Sequence, residues 1–475
     1  MMYKKACLIL LICFLSNFIL VGNNFSEQSV AEANNTVFKS FYPNILLSTN
    51  DTLYPQHVEP TLAIGSNDEL YVGWKNALGP SSAGVDVSFT KSLDAGLNWT
   101  ESVSMPSNVS QVGSKSDPWM NVYNHTIYYS YLEFNDSNIP NKFSQVTMAR
   151  STDNGKTWLT SRASENTYFA DKETFIVSPN GTIYLAYDDV NSDIGVFEVK
   201  LVHSIDSGNS FTELSRIDDL ASNPVLGPYL ALSQNQTLYA TWFMINRTNQ
   251  KGDVYYDYSS NGGKSFGEDI DLNPESSYGS AFGINTPGKS TIPVMKFDSL
   301  GRLYILWAEF SKQWRVYLKY SDDYGLNWSP KIPIHDKNNV YQWEPDMAID
   351  SNNTLHVVWY EQFSNQYRPY YRTISFSGVN RSDPVYSDII PVADKLTPSR
   401  FVRPGDYCTI RIDSNNTPNI VWTDGRSDKL DIYYAKASTE PVKAGNNVSG
   451  FLGTYIPIIF VIYLQIIKKK NKRTD

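Results

Sequence analysis

The stretch Ser321-Asp322-Asp323-Tyr324-Gly325-Leu326-Asn327-Trp328 decides how this chain is read. Its frame, Ser-x-Asp-x-Gly-x-x-Trp, returns at 92–99, 151–158, 204–211 and 259–266, with Phe for Trp in the last two and Asn261 in the Asp place of the last. Each copy has turn chemistry. The Asp carboxylate accepts backbone N–H bonds across a tight turn, the Gly takes positive φ at little cost, and the aromatic opens the next strand. The third residues fall at 94, 153, 206, 261 and 323. That period, roughly 50 to 60 residues, is of the size that marks a propeller or another repeat array.

Working outward from the frames, residues 59–64 form a strand, 65–68 a turn and 70–74 a second strand. A Gly/Ser loop leads to a third strand at 85–89, the frame, and a fourth strand from Trp99. This is one four-stranded antiparallel blade. The unit restarts at Asp117-Pro118, Lys172-Glu173, Gly227-Pro228, Ile292-Pro293, Glu344-Pro345 and Gly405-Asp406, which makes seven. Second strands at 182–187, 237–242, 302–307, 354–359 and 418–422 alternate apolar residues and end in an aromatic, as inter-blade core requires. The sixth unit has a degenerate turn at 375–378. The seventh runs through 431–435 and meets Pro441 without a fourth strand. An open seam would expose unpaired backbone groups, so the spare strand at 44–48 is expected to close the ring beside 431–435.

The frames resemble the Asp-boxes of the sialidase (neuraminidase) superfamily of β-propellers, and the resemblance spans most of the chain. It implies an all-β, seven-bladed propeller of four-stranded antiparallel blades, closed by an N-terminal strand. The superfamily includes sialidases, other glycosidases and non-catalytic binding proteins, so activity stays open. A sialidase would also need three arginines gripping the substrate carboxylate, a Tyr nucleophile with a Glu partner, an Asp acid/base and an Arg-Ile-Pro type motif. The nearest stretch, Phe41-Tyr42-Pro43, lacks the arginine.

The two ends of the chain lead to the expectation that it lies outside the cell. Lys4 and Lys5 followed by an apolar run to Val21 read as a secretion signal, assigned to 1–33 with Ala31-Glu32-Ala33 as a cleavage frame. An uncleaved anchor is the alternative. Residues 451–467 are apolar and uncharged, long enough at ~1.5 Å per residue to span a thin bilayer, and a basic tail at 468–475 follows. The expected order is signal, propeller over 34–440, stalk over 441–450, transmembrane helix and cytosolic tail, with the propeller at the cell surface. Ser449-Gly450-Phe451 also faintly resembles a sorting signal that is cut and replaced by a lipid. Sequons such as Asn50, Asn108, Asn180, Asn235 and Asn352 suggest a glycoprotein. Residues 34–467 carry 33 Lys and Arg against 46 Asp and Glu, a balance that repels nucleic acid. Cys408 is the lone cysteine beyond the N-terminal segment, so no disulfide framework forms within one chain. A monomer is expected.

Loops entering each first strand and linking second to third strands converge on one face of a propeller. They bring Asp117, Glu344 and Asp406 forward as candidate catalytic carboxylates. Trp119, Asp171, Tyr229, Trp343, Arg403, Asp424 and Arg426 are the candidate ligand contacts. Glu59, Lys75, Glu173 and Asp346 share that face. One carboxyl can donate a proton while a second stabilises a cationic centre, and aromatic faces stack on sugar rings. The bland alternative is that such carboxylates cap turns or pair with arginine, as in Asp424-Gly425-Arg426. No cofactor is implied. Central carboxylates could hold Ca²⁺, but no EF-hand-like loop is present. The reading is a surface propeller that binds or processes glycans or another cell-envelope ligand; the alternatives are an exo-α-sialidase or other glycoside hydrolase, and a structural or interaction protein of the envelope.

Overall fold

The computed structural model describes residues 36–441 apart from 50–52, 80–83, 109–112, 135–143, 165–168, 192–194, 220–222, 247–250, 275–291, 311–312, 336–339, 379–380 and 399–404. The expected signal, membrane segment and basic tail, and the stalk beyond Pro441, lie outside these residues. Among the described residues no helix is long and apolar enough to cross a membrane.

Seven antiparallel sheets follow one another along the chain. Their first strands are Gln56–Ile64, Ser114–Tyr123, Ala170–Val177, Val225–Leu232, Val294–Phe297, Tyr341–Ile349 and Thr409–Ile412. Each packs on the first strand of the next sheet, and the seventh packs on the first, so the sheets are the blades of a closed ring. The second-strand aromatics Trp74, Tyr187, Trp242, Trp307, Trp359 and Trp422 are fully buried between blades. In the sixth blade the third strand, Gln366–Ser377, continues through most of the expected turn, which begins only at Gly378.

The N-terminal segment closes the seventh blade. Ile45 and Leu46 pair with Tyr434 and Tyr433, and Ser40 and Phe41 pair with Ser438 and Ala437. Strand Asp431–Ser438 thereby gains the outer partner that its own blade does not supply.

The recurring frame is a clamped turn that fastens each blade to the one before it. In blade one the Asp94 carboxylate accepts the Asn98 N–H at 2.8 Å, while Ser92 Oγ accepts the Gly96 N–H at 2.9 Å. The same bonds recur around Asp153, Asp206, Asn261 and Asp323. Each closing aromatic then packs backwards. Trp99 lies 5.0 Å from Tyr434 of blade seven, Trp158 5.0 Å from Phe89 of blade one, and Trp328 5.3 Å from Tyr256 of blade four. Phe211 joins the blade-two cluster of Tyr128 and Met148, and Phe266 joins the blade-three cluster around Leu201.

Two junctions lack the frame and are fastened differently. Blade six reaches blade five through Arg381, which donates to Asp298 at 2.7 Å, and through the buried Arg302, which donates to the Arg381 carbonyl at 2.7 Å. At the junction of blades seven and six, the N-terminal Phe41 lies 5.5 Å from Tyr371 and Phe38 lies 6.1 Å from His356.

Candidate functional site

The site grows out of a bulge repeated around the axis. First-strand pairing slips between Val58 and Thr61, Ser116 and Trp119, Asp171 and Thr174, Leu226 and Tyr229, and Trp343 and Asp346. At each slip one residue takes positive φ: Glu59 (55°), Asp117 (49°), Lys172 (49°), Gly227 (66°) and Glu344 (46°). Gly405 does the same in blade seven at 111°. Such a conformation costs a non-glycine residue on the order of 1 kcal/mol or more, and a bulge re-aims side chains that regular pleating would send between the blades.

Bulge residues from neighbouring blades meet as a ladder of charges. Lys75 donates to Glu59 at 3.1 Å and lies 3.7 Å from Asp117. Lys172 donates to Asp117 at 2.6 Å and also to Asp406. Five side chains from blades seven, one, two and three are thus joined, all nine-tenths or more buried. Burial works to raise the Asp117 carboxyl, but Lys172 and Lys75 hold it well below the usual carboxylate range. Burial pushes Glu59 up to about 7 against the pull of Lys75, and pushes Asp171 up to about 7 against the pull of Lys172. Burial disfavours the Lys172 ammonium, yet Asp117 and Asp406 keep it charged.

Beside the ladder lies a cavity whose walls include Trp119, Tyr229 and Tyr407, with Glu173, Glu344 and Asp406 among its acids. Its volume is about 30 Å³. That is room for a small polar group, where a single water needs roughly 10–15 Å³ and a drug-sized ligand some hundreds. Glu173 is 3% exposed, and the Ser130 hydroxyl beside its carboxyl offsets only part of the cost of that burial. Burial, reinforced by Asp117, pushes its pKa well above the ordinary glutamate value.

The three proposed catalytic carboxylates, Asp117, Glu344 and Asp406, all line this cavity, as do Trp119 and Tyr229. Asp171 lies close enough to the ladder for its charges to act on it. Trp343 departs from expectation: it precedes its bulge and is buried in blade six, stacked on Tyr360 at 5.9 Å and edge-on to Tyr367 at 5.7 Å. Asp424 and Arg426 form a 2.6 Å pair, and Asp424 also accepts from Thr397 and Trp422 while Arg426 donates to Asn44. They serve the ring seam. Arg403 lies outside the described residues. The residue that sequence reasoning passed over is Lys172, although it stands at the bulge position of its unit exactly where the others place Glu59, Asp117 and Glu344. Among the described residues no arginine lines the cavity, and no group of carboxylates, histidines and cysteines is arranged to hold a metal.

Comparison with solved structures places the chain by fold. It is similar to an ulvan lyase, a polysaccharide lyase, at TM-score 0.53 and 11% identity over 86% of this chain and 96% of that one. A Hadza microbial sialidase matches at TM-score 0.47 and 15% identity over 65% and 64% of the two chains. An α-L-arabinanase from Penicillium chrysogenum matches at 0.44 and 14% over 84% and 99%. No protein-family model matches the sequence, and no curated protein is similar to it.

Proposed function

We propose that this chain is a glycan-directed propeller displayed outside the cell, which takes hold of its ligand at the axial cavity. One observation carries the reading: three aromatic side chains, Trp119, Tyr229 and Tyr407, wall a cavity whose acids include Asp117, Glu173, Glu344 and Asp406. Aromatic faces suit sugar rings, and buried acids suit the hydroxyls between them. The ulvan lyase of similar fold was solved bound to a uronate-containing saccharide, and glycan chemistry is carried over from it as part of the proposal. Trp119, partly exposed, offers a face on which a sugar ring can stack.

A second reading, glycan cleavage, is favoured by the opposed acidities of two carboxyls on the same cavity. Burial pushes the Glu173 carboxyl well above the ordinary glutamate value, while Lys172 and Lys75 hold Asp117 well below the usual carboxylate range. An acid kept protonated beside one kept charged is the division of labour that glycosidic bond cleavage uses. Surface display rests on the apolar segments at both ends and on the dense sequons.

The test combines glycan-array binding with turnover of fluorogenic sialosides and other glycosides by residues 34–445. Asp117→Ala, Glu344→Ala and Asp406→Ala are compared with the parent. Turnover that collapses in one variant establishes the enzyme, array binding without turnover establishes the binding protein, and silence in both defeats the glycan reading. Protease shaving of intact cells checks the topology, since a surface propeller is released and an internal one is protected.

A further inference from the structure

We infer that the face carrying the clamped turns lies against the lipid surface, so that the axial cavity opens away from it. The inference rests on the reading of this chain as surface-displayed and adds the face by which it is held. Where the ends of the propeller emerge makes the first argument. The last strand, Asp431–Ser438, runs past the start of its neighbour Pro418–Asp424, and Lys436 reaches Asp413 in the turn before that neighbour at 2.8 Å. The chain thus leaves blade seven at the end where turns join first to second strands. The N-terminal segment enters at the same end, since Ser40 pairs with Ser438. Both apolar end segments are therefore continuous in sequence with this end of the blades. The apolar residues 451–467 begin ten positions beyond Pro441. Ten residues span at most about 35 Å. That is little more than the roughly 26 Å of strand that such a tether would retrace to bring the opposite face to a bilayer.

The surface at that end makes the second argument. The clamped turns lie there too, with Ser92 of the first turn opposite Leu70 at the start of the second strand. Turns between first and second strands are tied to one another around the axis: the Ser414 N–H donates to Asp68 at 2.8 Å, the Ser351 N–H to Asn416 at 3.1 Å and the Ser299 N–H to Asn353 at 2.8 Å. These bonds resist the bending apart of neighbouring turns. From this face project Leu93 and Leu97 of the first clamped turn, Ile205 of the third, Tyr324 and Leu326 of the fifth, and Leu300 of the turn beside Tyr324. Leu97, Ile205 and Leu326 are 72%, 80% and 74% exposed. A single exposed leucine needs no explanation, but these stand at one end of several blades. Tyr324 also begins a run of rings, 6.3 Å from Phe297, which lies 5.1 Å from Tyr239, itself 5.4 Å from the exposed Tyr258. Tyrosine and leucine together suit the boundary between headgroups and acyl chains. The carboxylates of Asp94, Asp153, Asp206 and Asp323 accept N–H bonds from their own turns, donors that move with them from water into the headgroup layer.

The experiment reconstitutes the full chain, carrying Cys7→Ser and Cys13→Ser, in phosphatidylcholine vesicles, with a fluorophore attached at Leu300→Cys, Leu326→Cys or Leu78→Cys. Cys408 is buried and stays in place. Leu78 is the control, since it is 66% exposed against 65% for Leu300 but follows the second strand of blade one, at the opposite end of the blade. Lipids spin-labelled near the headgroup are expected to quench the labels at 300 and 326 at least about twofold more than the label at 78, as insertion to a depth of ~5–10 Å requires. Equal quenching at the three positions, or stronger quenching at 78, overturns the inference, and flotation of the protein with the vesicles then leaves surface display standing. Shielding of the labels at 300 and 326 from aqueous iodide without quenching by lipid assigns the face to a second copy of the chain and also overturns it. A chain that does not float with the vesicles overturns the inference and the surface-display reading together.

Discussion

Lys172 of blade three donates to Asp117 of blade two at 2.6 Å and, through the same ammonium, to Asp406 of blade seven. One side chain therefore bridges blades that are not neighbours in the ring. Removing it leaves two buried carboxylates facing each other. Lys172→Met is expected to cost about 3–5 kcal/mol, and adding Asp406→Asn to recover part of that loss. Urea unfolding measures both, and a single variant as stable as the parent would show that the ladder holds nothing together.

Stability is expected to fall as pH rises from about 4 to 7. Glu59 and Asp171 have folded pKa values raised to about 7, mainly by burial, so their contribution is fully present below the unfolded values near 4 and is lost as pH climbs through 7. Asp117 works in the opposite sense, but its depressed value confines its loss to strongly acid solution. Glu59→Gln and Asp171→Asn should each flatten the slope of melting temperature against pH. A slope unchanged in both variants contradicts the assignment.

A clamped turn in blade two and the turn between the first two strands of blade three give a paired test. Gly155 holds φ at 73°, and a Cβ there would lie 2.5 Å from the Phe89 ring; Gly181 holds 86° with its nearest neighbour at 3.7 Å. Gly155→Ala is expected to cost about 2–4 kcal/mol, strain plus overpacking, and Gly181→Ala about 1 kcal/mol from strain alone. Thermal melts of the two variants rank them, and equal losses would mean that the turn does not press on the blade before it.

Phe38 and Phe41 stand in for the missing seventh clamp. The double change to Ala is expected to cost about 3 kcal/mol, less than two fully buried rings because Phe41 is only partly covered. Deleting residues up to 48 should go further, exposing the edge of Asp431–Ser438 and producing aggregates in size-exclusion chromatography. A monomeric, unchanged deletion product would show that the ring closes without the N-terminus.

The blade count and the closing strand are legible in the sequence because both follow from period and from backbone groups that need partners. Phe for Trp at 211 and 266 does not blur the count, since either ring fills the preceding blade. The site is harder to read, because alternation along a first strand is reset at its bulge. Trp343 and Trp119 look equivalent in composition, yet one precedes its bulge and enters the core while the other follows it and walls the cavity. Lys172 escapes notice for a related reason. A lone lysine among carboxylates reads as solvent-facing until the bulge turns it toward Asp117 and Asp406. Aligning the seven units on the residue before Pro60, Pro118, Pro228 and Pro345 would have found it.

Closure by the N-terminus also sets a timetable. Ser40 Oγ donates to the Glu440 carbonyl across 400 positions of sequence. At translation rates of 5–20 residues per second, the first segment waits roughly 20–80 s for its partner strand to be made. Through that interval the growing array stands with an uncovered blade face at either end, and the N-terminal strand waits without its partner. The chain passes its most aggregation-prone moment during synthesis, so the yield of folded protein, more than equilibrium stability, sets how much weakening of this seam is tolerated.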